Sequence, residues 1–491
     1  MRLAALTHGA ADWAGLDVVV AGLGGSGFAA ADALLERGAR VLVVDANESP
    51  ATTERREILS ILGADVRVGA EHVATLAHRP DLVVTSPGWR PDQPLLAAAA
   101  TAGVPVWGEV ELAWRLRPAV GAAPWLTLTG TNGKTTTVRM LVSMLQAAGL
   151  RAEAGGNVGT PMVELVQHPE PYDVLAVELS SFQLHWLAPD RENSVAATAS
   201  AVLNIAPDHV DWHGSLAGYT RAKGEIYQRT LTACVYNVQD PVTEQLVRDA
   251  DVQDGCIAAG FTLGIPAPGM LGVVDDVLAD RAFVPQLHTS AAELGTLADV
   301  QGSAPTLAPH QVANALAAAA LARAHGVPPV AVRDGLRGFV PDPHRIAHVA
   351  DVGGVAFVDD SKATNPHAAA AALSAYERVV WVAGGVLKGA DVDDLVRANA
   401  ARLHAAVLLG RDRALIAEAI ARHAPDVPVV VVDSAETDVM DHVVRTAAAL
   451  ARPGDTVLLS PAAASIDMFR DYAERGEEFA AAVLRLARAV S

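Results

Sequence analysis

Residues 127–137 read Thr-Leu-Thr-Gly-Thr-Asn-Gly-Lys-Thr-Thr-Thr. An apolar pair, Trp125 and Leu126, precedes them, and a helical pattern follows in Val138-Arg-Met-Leu-Val-Ser-Met-Leu145. The layout is a strand, a Gly-containing turn carrying Lys134 and Thr135, and then a helix. Such a turn cradles phosphate: backbone N–H groups and the helix N-terminus face the anion, the lysine adds a point charge, and the threonine hydroxyl can ligate Mg²⁺. The match to the general phosphate loop is incomplete, because the position five residues before Gly133 holds Leu128 where that pattern has Gly. Taken alone, a Gly-Lys-Thr triplet is also compatible with plain turn chemistry; the flanking strand and helix favour the phosphate reading.

On both sides of this stretch, apolar strand-like runs alternate with helical patterns, which predicts α/β units around largely parallel sheets. At 491 residues, two to four domains are expected. Three blocks are predicted: 1–108, 109–340 and 341–491. Phe339-Val-Pro-Asp-Pro-His-Arg345 reads as a linker between the last two, since its prolines discourage regular structure. In open α/β sheets ligands bind beyond the carboxyl ends of strands, so the loops there are where chemistry is expected.

Lysine and arginine number 37 and acidic residues 56, a formal net charge of −19. That balance argues against nucleic acid and against a basic membrane-facing patch. The two cysteines, Cys234 and Cys256, form no Cys-x-x-Cys pair, so neither a disulfide framework nor a zinc site is expected, and a reducing compartment is the simpler reading. The N-terminus lacks a signal-peptide pattern, and the Ala-rich run 315–321 is too short to span a membrane. A soluble cytoplasmic protein is expected.

In the first block, Asp17-Val-Val-Val-Ala-Gly22 leads into Gly22-Leu-Gly-Gly-Ser-Gly27, and a second strand ends at Asp45. The pattern Gly-x-Gly-x-x-Gly with an acid about twenty residues on is the dinucleotide signature, so the local inference is NAD, with Asp45 on a ribose hydroxyl. The bland alternative is a tight strand–helix turn. Thr85-Ser-Pro-Gly88 follows another apolar strand and could close over the same nucleotide. In the second block, Asp173-Val-Leu-Ala-Val-Glu178 is an apolar strand ending in a carboxylate, where a Mg²⁺ ligand is needed downstream of a phosphate loop. His209 and Lys223, by composition alone, read as a structural histidine and a surface lysine. In the third block, Phe357–Pro366, Val382–Asp391 and Val457–Ser465 each begin as a buried strand and end in small polar residues or lysine, which suggests a pocket for an anionic substrate.

Together these segments resemble the Mur ligase family, the ATP-dependent amino-acid ligases of peptidoglycan synthesis, and most of all its D-glutamate-adding branch. The landmarks are Gly130-Thr-Asn-Gly-Lys-Thr135, Glu178-Leu-Ser-Ser-Phe-Gln-Leu184, Asp208-His209, Ala222-Lys223, His344-Arg345, Asp360-Ser-Lys-Ala-Thr-Asn365 and Ser460–Ser465. The resemblance implies three domains: Rossmann-like, central phosphate-loop ATPase, and a second Rossmann-like domain. It displaces NAD from the first block, which would hold UDP of a sugar nucleotide near Gly25, Ser26, Asp45 and Gly88, with Asn157 reaching the same substrate. It implies ATP at Gly130, Thr131, Asn132, Gly133, Lys134, Thr135, Thr136, Asn314, Arg345 and Asp360. Two Mg²⁺ ions would be served by Thr135, Glu178, His209 and Lys223, the lysine as a carbamate; Lys134, Glu178, His209 and Lys223 are the expected catalytic set. D-glutamate would sit among Lys362, Thr364, Lys388, Ser465 and Tyr472. The implied reaction phosphorylates the carboxylate of UDP-N-acetylmuramoyl-L-alanine and lets the D-glutamate amine displace phosphate, with closure about the 340–345 linker and a monomer as the working unit.

Two positions depart from the family pattern. His310-Gln-Val-Ala-Asn314 carries Gln311 where the family has Asn, and Ala463 replaces a frequent Cys. The rival readings are an NAD-dependent oxidoreductase, a non-catalytic nucleotide-binding module and a folylpolyglutamate-type ligase. The first leaves Gly-Lys-Thr and the third block without a role. Against the second stand Glu178, His209 and Lys223 together, and against the third the complete Gly-rich first block and Asp360–Asn365.

Overall fold

The computed structural model describes residues 2–187, 193–302, 307–432 and 438–490. Three sheets organise them. The first contains β1 (Asp17–Ala21), β2 (Arg40–Asp45), β3 (Asp65–Val68), β4 (Leu82–Thr85) and β5 (Val106–Gly108), in the order β3-β2-β1-β4-β5, all parallel. The order reverses at β1, and there the Gly-rich turn meets the helix Gly25–Glu36. Val18, Val20, Leu82 and Val84 are buried on one face while Val19, Val83 and Leu96 pack on the other, which is why these strands are continuously apolar.

The second sheet has nine strands: β6 (Trp125–Thr129), β7 (Ala152–Gly156), β8 (Val174–Glu178), β9 (Ala199–Val202), β10 (Ala233–Asn237), β11 (Ile257–Phe261), β12 (Met270–Val274), β13 (Val277–Asp280) and β14 (Ala292–Thr296). Their order is β14-β13-β12-β11-β10-β9-β6-β8-β7, parallel from β7 to β12 and antiparallel beyond. The phosphate-loop strand β6 lies between β8, which ends at Glu178, and β9, which leads to Asn204. The Ala-rich run belongs to the helix Pro309–Ala324, and Arg323 near its end pairs with the buried Asp280 (Nε–Oδ2 2.8 Å).

The third sheet contains β15 (Ala347–Val352), β16 (Val355–Asp359), β17 (Val379–Gly384), β18 (Leu403–Leu409), β19 (Val429–Val431) and β20 (Thr456–Leu459), in the order β15-β16-β20-β17-β18-β19. Only β15, joined to β16 by Gly353-Gly354, runs antiparallel. Apolar residues on both faces of β16, β17, β18 and β20 form two cores, one with the helices Pro366–Leu373 and Arg413–His423, the other with Val439–Leu450 and Tyr472–Val490.

By contacts the chain forms two compact units. One comprises 1–296 and 314–338, and thus holds the first two sheets; the other comprises 297–313 and 339–491. The stretch 339–346 contains no helix or strand, in keeping with its prolines. No helix among the described residues is long and apolar enough to cross a membrane.

Candidate active site

Beyond the carboxyl end of β6, the chain turns at Gly130–Gly133 into the helix Lys134–Ala147. Gly133 has φ +85°, and a Cβ there would sit 2.4 Å from Asn314 Oδ1, so both conformation and space require glycine. Asn314 is thereby placed against the loop. The turn is laced to its neighbours: Asn132 N–H donates to Asn204 Oδ1 (2.9 Å), Asn204 Nδ2 to Asn132 O (3.1 Å), and Thr131 Oγ1 to Ala206 O (3.1 Å). Lys134 Nζ folds over the loop and donates to the carbonyls of Gly130 and Thr131 at 2.9 Å each. Thr135 and Thr136 lie half-buried in the first helical turn.

Glu178 ends β8 next to this loop and is 1% exposed. Its Oε1 accepts from Asn157 Nδ2 at 2.9 Å, and its backbone carbonyl accepts from Asn157 N at 2.7 Å. Its Oε2 is buried with no hydrogen-bond partner. A buried carboxylate oxygen left unsatisfied is costly unless a cation completes it. Among the described residues, no three His, Cys, Asp or Glu side chains gather as a metal cluster. Mg²⁺ takes one or two carboxylates and fills its octahedron with hydroxyl, phosphate and water oxygens. The donor set of Glu178 and Thr135 fits such an ion.

Lys223 sits on the helix Leu216–Gly224, 1% exposed, and donates Nζ to Gly130 O (2.8 Å) and Thr129 Oγ1 (3.1 Å). Burial holds its amine well below the ordinary lysine range and Lys134 pushes the same way, while Asp208 and Glu178 oppose. Composition alone made this a surface lysine; a helix packed against the phosphate loop makes it the most deeply buried amine of the site.

His209 occupies a left-handed position (φ +50°) ahead of the one-turn helix Val210–His213. Its ring lies 4.7 Å from that of Phe182, and its Nε2 is 3.6 Å from Asp208 Oδ2. Phe182 also packs on Trp212 (4.8 Å) and His213 (5.8 Å), and His213, driven down to about 4 chiefly by burial, stays neutral. Trp212 Nε1 donates to Gly88 O at 3.4 Å, and Arg90 donates to Asp211 O at 3.0 Å, so the Gly88 turn meets the His209 loop. Phe182 and Trp212 carry no assigned role in the sequence, where aromatic identity beside a site residue is the signal available.

At the first sheet, Gly25 and Ser26 open the helix Gly25–Glu36 and present its N-terminus. Asp45 serves the loop rather than pointing into open space: Oδ2 accepts from Leu23 N (2.7 Å) and Oδ1 from Asn47 N (2.9 Å). Each oxygen thus accepts one backbone N–H, and the lone pairs left on the half-buried carboxylate can still accept from a ligand. Ser86 Oγ, beside Gly22, is buried without a partner and is a polar group the motif reading passed over.

In the C-terminal unit, Lys362, Thr364, Lys388, Ser465 and Tyr472 all follow the carboxyl ends of β16, β17 and β20. Lys362 Nζ stands 3.7 Å above the Tyr472 ring. Lys388 is exposed with φ +54°. Gly385 (φ +131°) lets its loop approach Ala464 O, which a Cβ would meet at 2.2 Å. Asp360 accepts from Ser460 Oγ (3.0 Å) and Ile346 N (3.3 Å); burial pushes its carboxyl up to about 7, with those bonds and Arg345 pulling down and Asp359 pushing up. Arg345 Nε lies 3.8 Å from Asp342 Oδ2. Gln311 Oε1 accepts from Ala308 N (2.9 Å), so it caps the start of its own helix. Away from all of these, Cys234 and Cys256 lie with Sγ atoms 3.9 Å apart as free thiols.

Three family profiles match in succession: the Mur ligase MurD-like N-terminal domain over residues 16–108, the Mur ligase middle domain over 128–322, and the Mur ligase glutamate ligase domain over 344–463. The UDP-N-acetylmuramoylalanine–D-glutamate ligase of Streptomyces avermitilis is 59% identical, covering 96% of this chain and 98% of that protein. The enzyme of the same name from Mycolicibacterium smegmatis is 46% identical, covering 98% of each. Among solved structures, the UDP-N-acetylmuramate–alanine ligase of Thermotoga maritima shares the fold at a TM-score of 0.55 and 17% identity, covering 96% of this chain and 100% of that one. The MurF ligase of Thermotoga maritima in complex with ADP does so at 0.55 and 15%, covering 92% and 96%. With all three profiles in order and a near-full-length relative at 59% identity, the chain belongs to the Mur ligase family.

Proposed function

We propose that this protein joins D-glutamate to UDP-N-acetylmuramoyl-L-alanine at the expense of ATP, in peptidoglycan precursor synthesis. The observation that carries the reading is identity of 46–59% along nearly the whole chain to relatives that bear that activity in their names. In this reading residues 1–108 hold the sugar nucleotide, 109–340 hold ATP and Mg²⁺, and 341–491 hold the amino acid. The enzyme works in the cytoplasm as a monomer on small molecules.

A carboxylate is a poor electrophile, so the L-alanyl carboxylate first takes the ATP γ-phosphoryl group. The D-glutamate amine then attacks the acyl phosphate, forming the amide and releasing phosphate and ADP. The chain's task is to gather several anions and hold them in line. The 130–136 backbone and Lys134 receive the β- and γ-phosphates, which replace the loop carbonyls as partners of Nζ. Asn314 borders the loop on the nucleotide side; Arg345 and Asp360 bring ATP to the amino-acid domain. Glu178 and Thr135 would hold one Mg²⁺, and carbamylated Lys223 with Glu178 and His209 would serve a second ion. When bound, Mg²⁺ neutralises charge building on the transferred phosphoryl oxygens.

Only a neutral amine adds to CO₂, and the buried Lys223 is held toward that form. Addition of CO₂ with loss of a proton would turn this buried neutral amine into a carbamate anion able to face metal. Gly25, Ser26, Asp45, Gly88 and Asn157 orient the sugar nucleotide. Lys362, Lys388, Thr364 and Ser465 take the two carboxylates of D-glutamate, whose aliphatic stem lies on Tyr472.

Phosphate release from ATP with UDP-N-acetylmuramoyl-L-alanine tests the assignment, comparing D-glutamate, L-glutamate and no amino acid. Release with D-glutamate only, with a product of the added mass, is expected. Release with L-glutamate alone would overturn the substrate, and no release at all would overturn the reaction.

A further inference from the structure

Arg475, in the first turn of the helix Tyr472–Val490, has a role that no motif announces. Its side chain is 1% exposed, yet its partners are a hydroxyl and backbone carbonyls. Nε donates to Ser361 Oγ (2.9 Å) and Nη2 to Ser361 O (2.8 Å). Nη1 donates to Ala463 O (3.1 Å) and, more weakly, to Gly384 O (3.4 Å). Ser361 Oγ donates in turn to Tyr472 O at 2.7 Å, closing the network on the start of the same helix. Burial lowers the guanidinium to about 10, which still leaves it charged at neutral pH, with Asp467 and Asp359 offsetting the cost.

The acceptors come from three different loops. Ser361 adjoins Lys362, Gly384 opens the loop that carries Lys388, and Ala463 lies just before Ser465. Each loop thus brings one of the polar groups assigned to D-glutamate, and Tyr472 brings the ring. A planar fork with five N–H donors can span several acceptors at fixed angles, which a lysine ammonium cannot. A strap that merely fastened the helix to the sheet would bond to strand bodies; here every bond goes to a residue at or beyond a strand end. We propose that Arg475 is a positioning residue for the amino-acid substrate, setting the mutual spacing of the loops that bear Lys362, Lys388 and Ser465. The inference rests on the D-glutamate reading given above.

The test is steady-state kinetics on the full-length enzyme with each of the three substrates varied, for wild type, Arg475→Lys, Ser361→Ala and Arg485→Lys. Arg475→Lys keeps the charge and loses the fork, so KM for D-glutamate should rise about 10- to 100-fold, as expected for misplaced charge-assisted contacts. KM for ATP and for the sugar nucleotide should stay within about twofold, since those contacts are not set by the fork. Ser361→Ala removes one acceptor and should raise KM for D-glutamate less, by about 3- to 10-fold. Arg485, on the same helix but paired with Asp441 at the surface (2.8 Å), is the control and should leave all three constants unchanged. If the three KM values rise together, or if melting temperature falls with KM for D-glutamate unmoved, Arg475 is structural only and the proposal is overturned. Should Arg475→Lys not fold, an unchanged KM for D-glutamate in Ser361→Ala overturns it. Wild type that ignores D-glutamate would instead remove the substrate reading, and the inference with it.

Discussion

Lys223 and Lys388 belong to two candidate sites and are held in opposite ways. Lys223 is 1% exposed, pinned between Gly130 O and Thr129 Oγ1, and burial drives its amine toward the neutral form. Lys388 stands exposed on a loop of the C-terminal unit, in a left-handed backbone position (φ +54°). Near Lys223, Glu178 carries a buried oxygen with no partner, while of the residues assigned with Lys388, Lys362 and Thr364 are half-buried and Ser465 is buried. The contrast separates chemistry from recognition. On the proposed assignment, the groups that would change covalent state or hold metal are built into the interior, where desolvation alters reactivity. The lysines that would receive a soluble dicarboxylate stay at least partly open to solvent.

The sharpest way to break this contrast is Lys223→Met, which keeps most of the buried volume. Turnover should fall by on the order of 10³-fold or more, since an interaction central to transition-state charge is removed. The melting temperature should hold or rise, because a buried amine is exchanged for an apolar chain. An active Met variant would reduce Lys223 to packing. Glu178→Gln comes next, with a loss in kcat of about 10²- to 10³-fold, the range for one preorganised electrostatic partner. The Mg²⁺ concentration for half-maximal rate should rise along with it. An unaltered Mg²⁺ requirement would mean that the unpartnered Oε2 is not a metal ligand.

Lys388→Ala should act differently in kind. An exposed cation contributes mainly to binding, so KM for D-glutamate should rise about 10-fold or somewhat more with kcat nearly kept. Equal losses in kcat and kcat/KM would place Lys388 in the transition state and dissolve the contrast with Lys223.

The two regions were also unequally legible in the sequence. β6, the turn and the helix Lys134–Ala147 could be placed from Trp125 to Leu145 because apolar period, glycine and lysine fall in one short window. The strands ending at Asp45, Glu178 and Asp359 were legible for the same reason: runs buried on both faces are continuously apolar. The burial of Lys223 was not, since it depends on a helix packing over a loop more than ninety residues earlier. Arg475 was silent as well; arginine near the start of an amphipathic helix reads as solvated, and only the convergence of three loops makes it internal. Asp45 shows a different limit: the motif located the acid at its strand end, but not the two backbone N–H groups it accepts from within its own loop.

The smallest effect expected concerns pH, and it extends the comparison to stability. Asp360 and Lys223 are both buried ionisable groups, displaced in opposite directions. The Asp360 carboxyl is pushed up to about 7 from 3.8, chiefly by burial. A carboxyl raised in the folded state lends stability that is complete below its unfolded value and is lost as pH rises toward 7. Lys223, lowered in the folded state, works in the reverse sense: its contribution grows as pH rises toward the ordinary lysine range. Asp360→Asn cannot titrate, so its melting temperature minus that of wild type should increase between pH 5 and pH 8. The change corresponds to on the order of 1–3 kcal/mol once relaxation around the buried group is allowed for. The subtraction cancels every other titrating group, and any constant loss from an amide that makes fewer bonds to Ser460 and Ile346 N shifts the difference without tilting it. A flat difference across that range would show Asp360 ionised in the folded protein, and would place the C-terminal region with fully charged groups alone. The same subtraction for Lys223→Met should tilt the other way, with the variant losing ground to wild type as pH climbs above neutral.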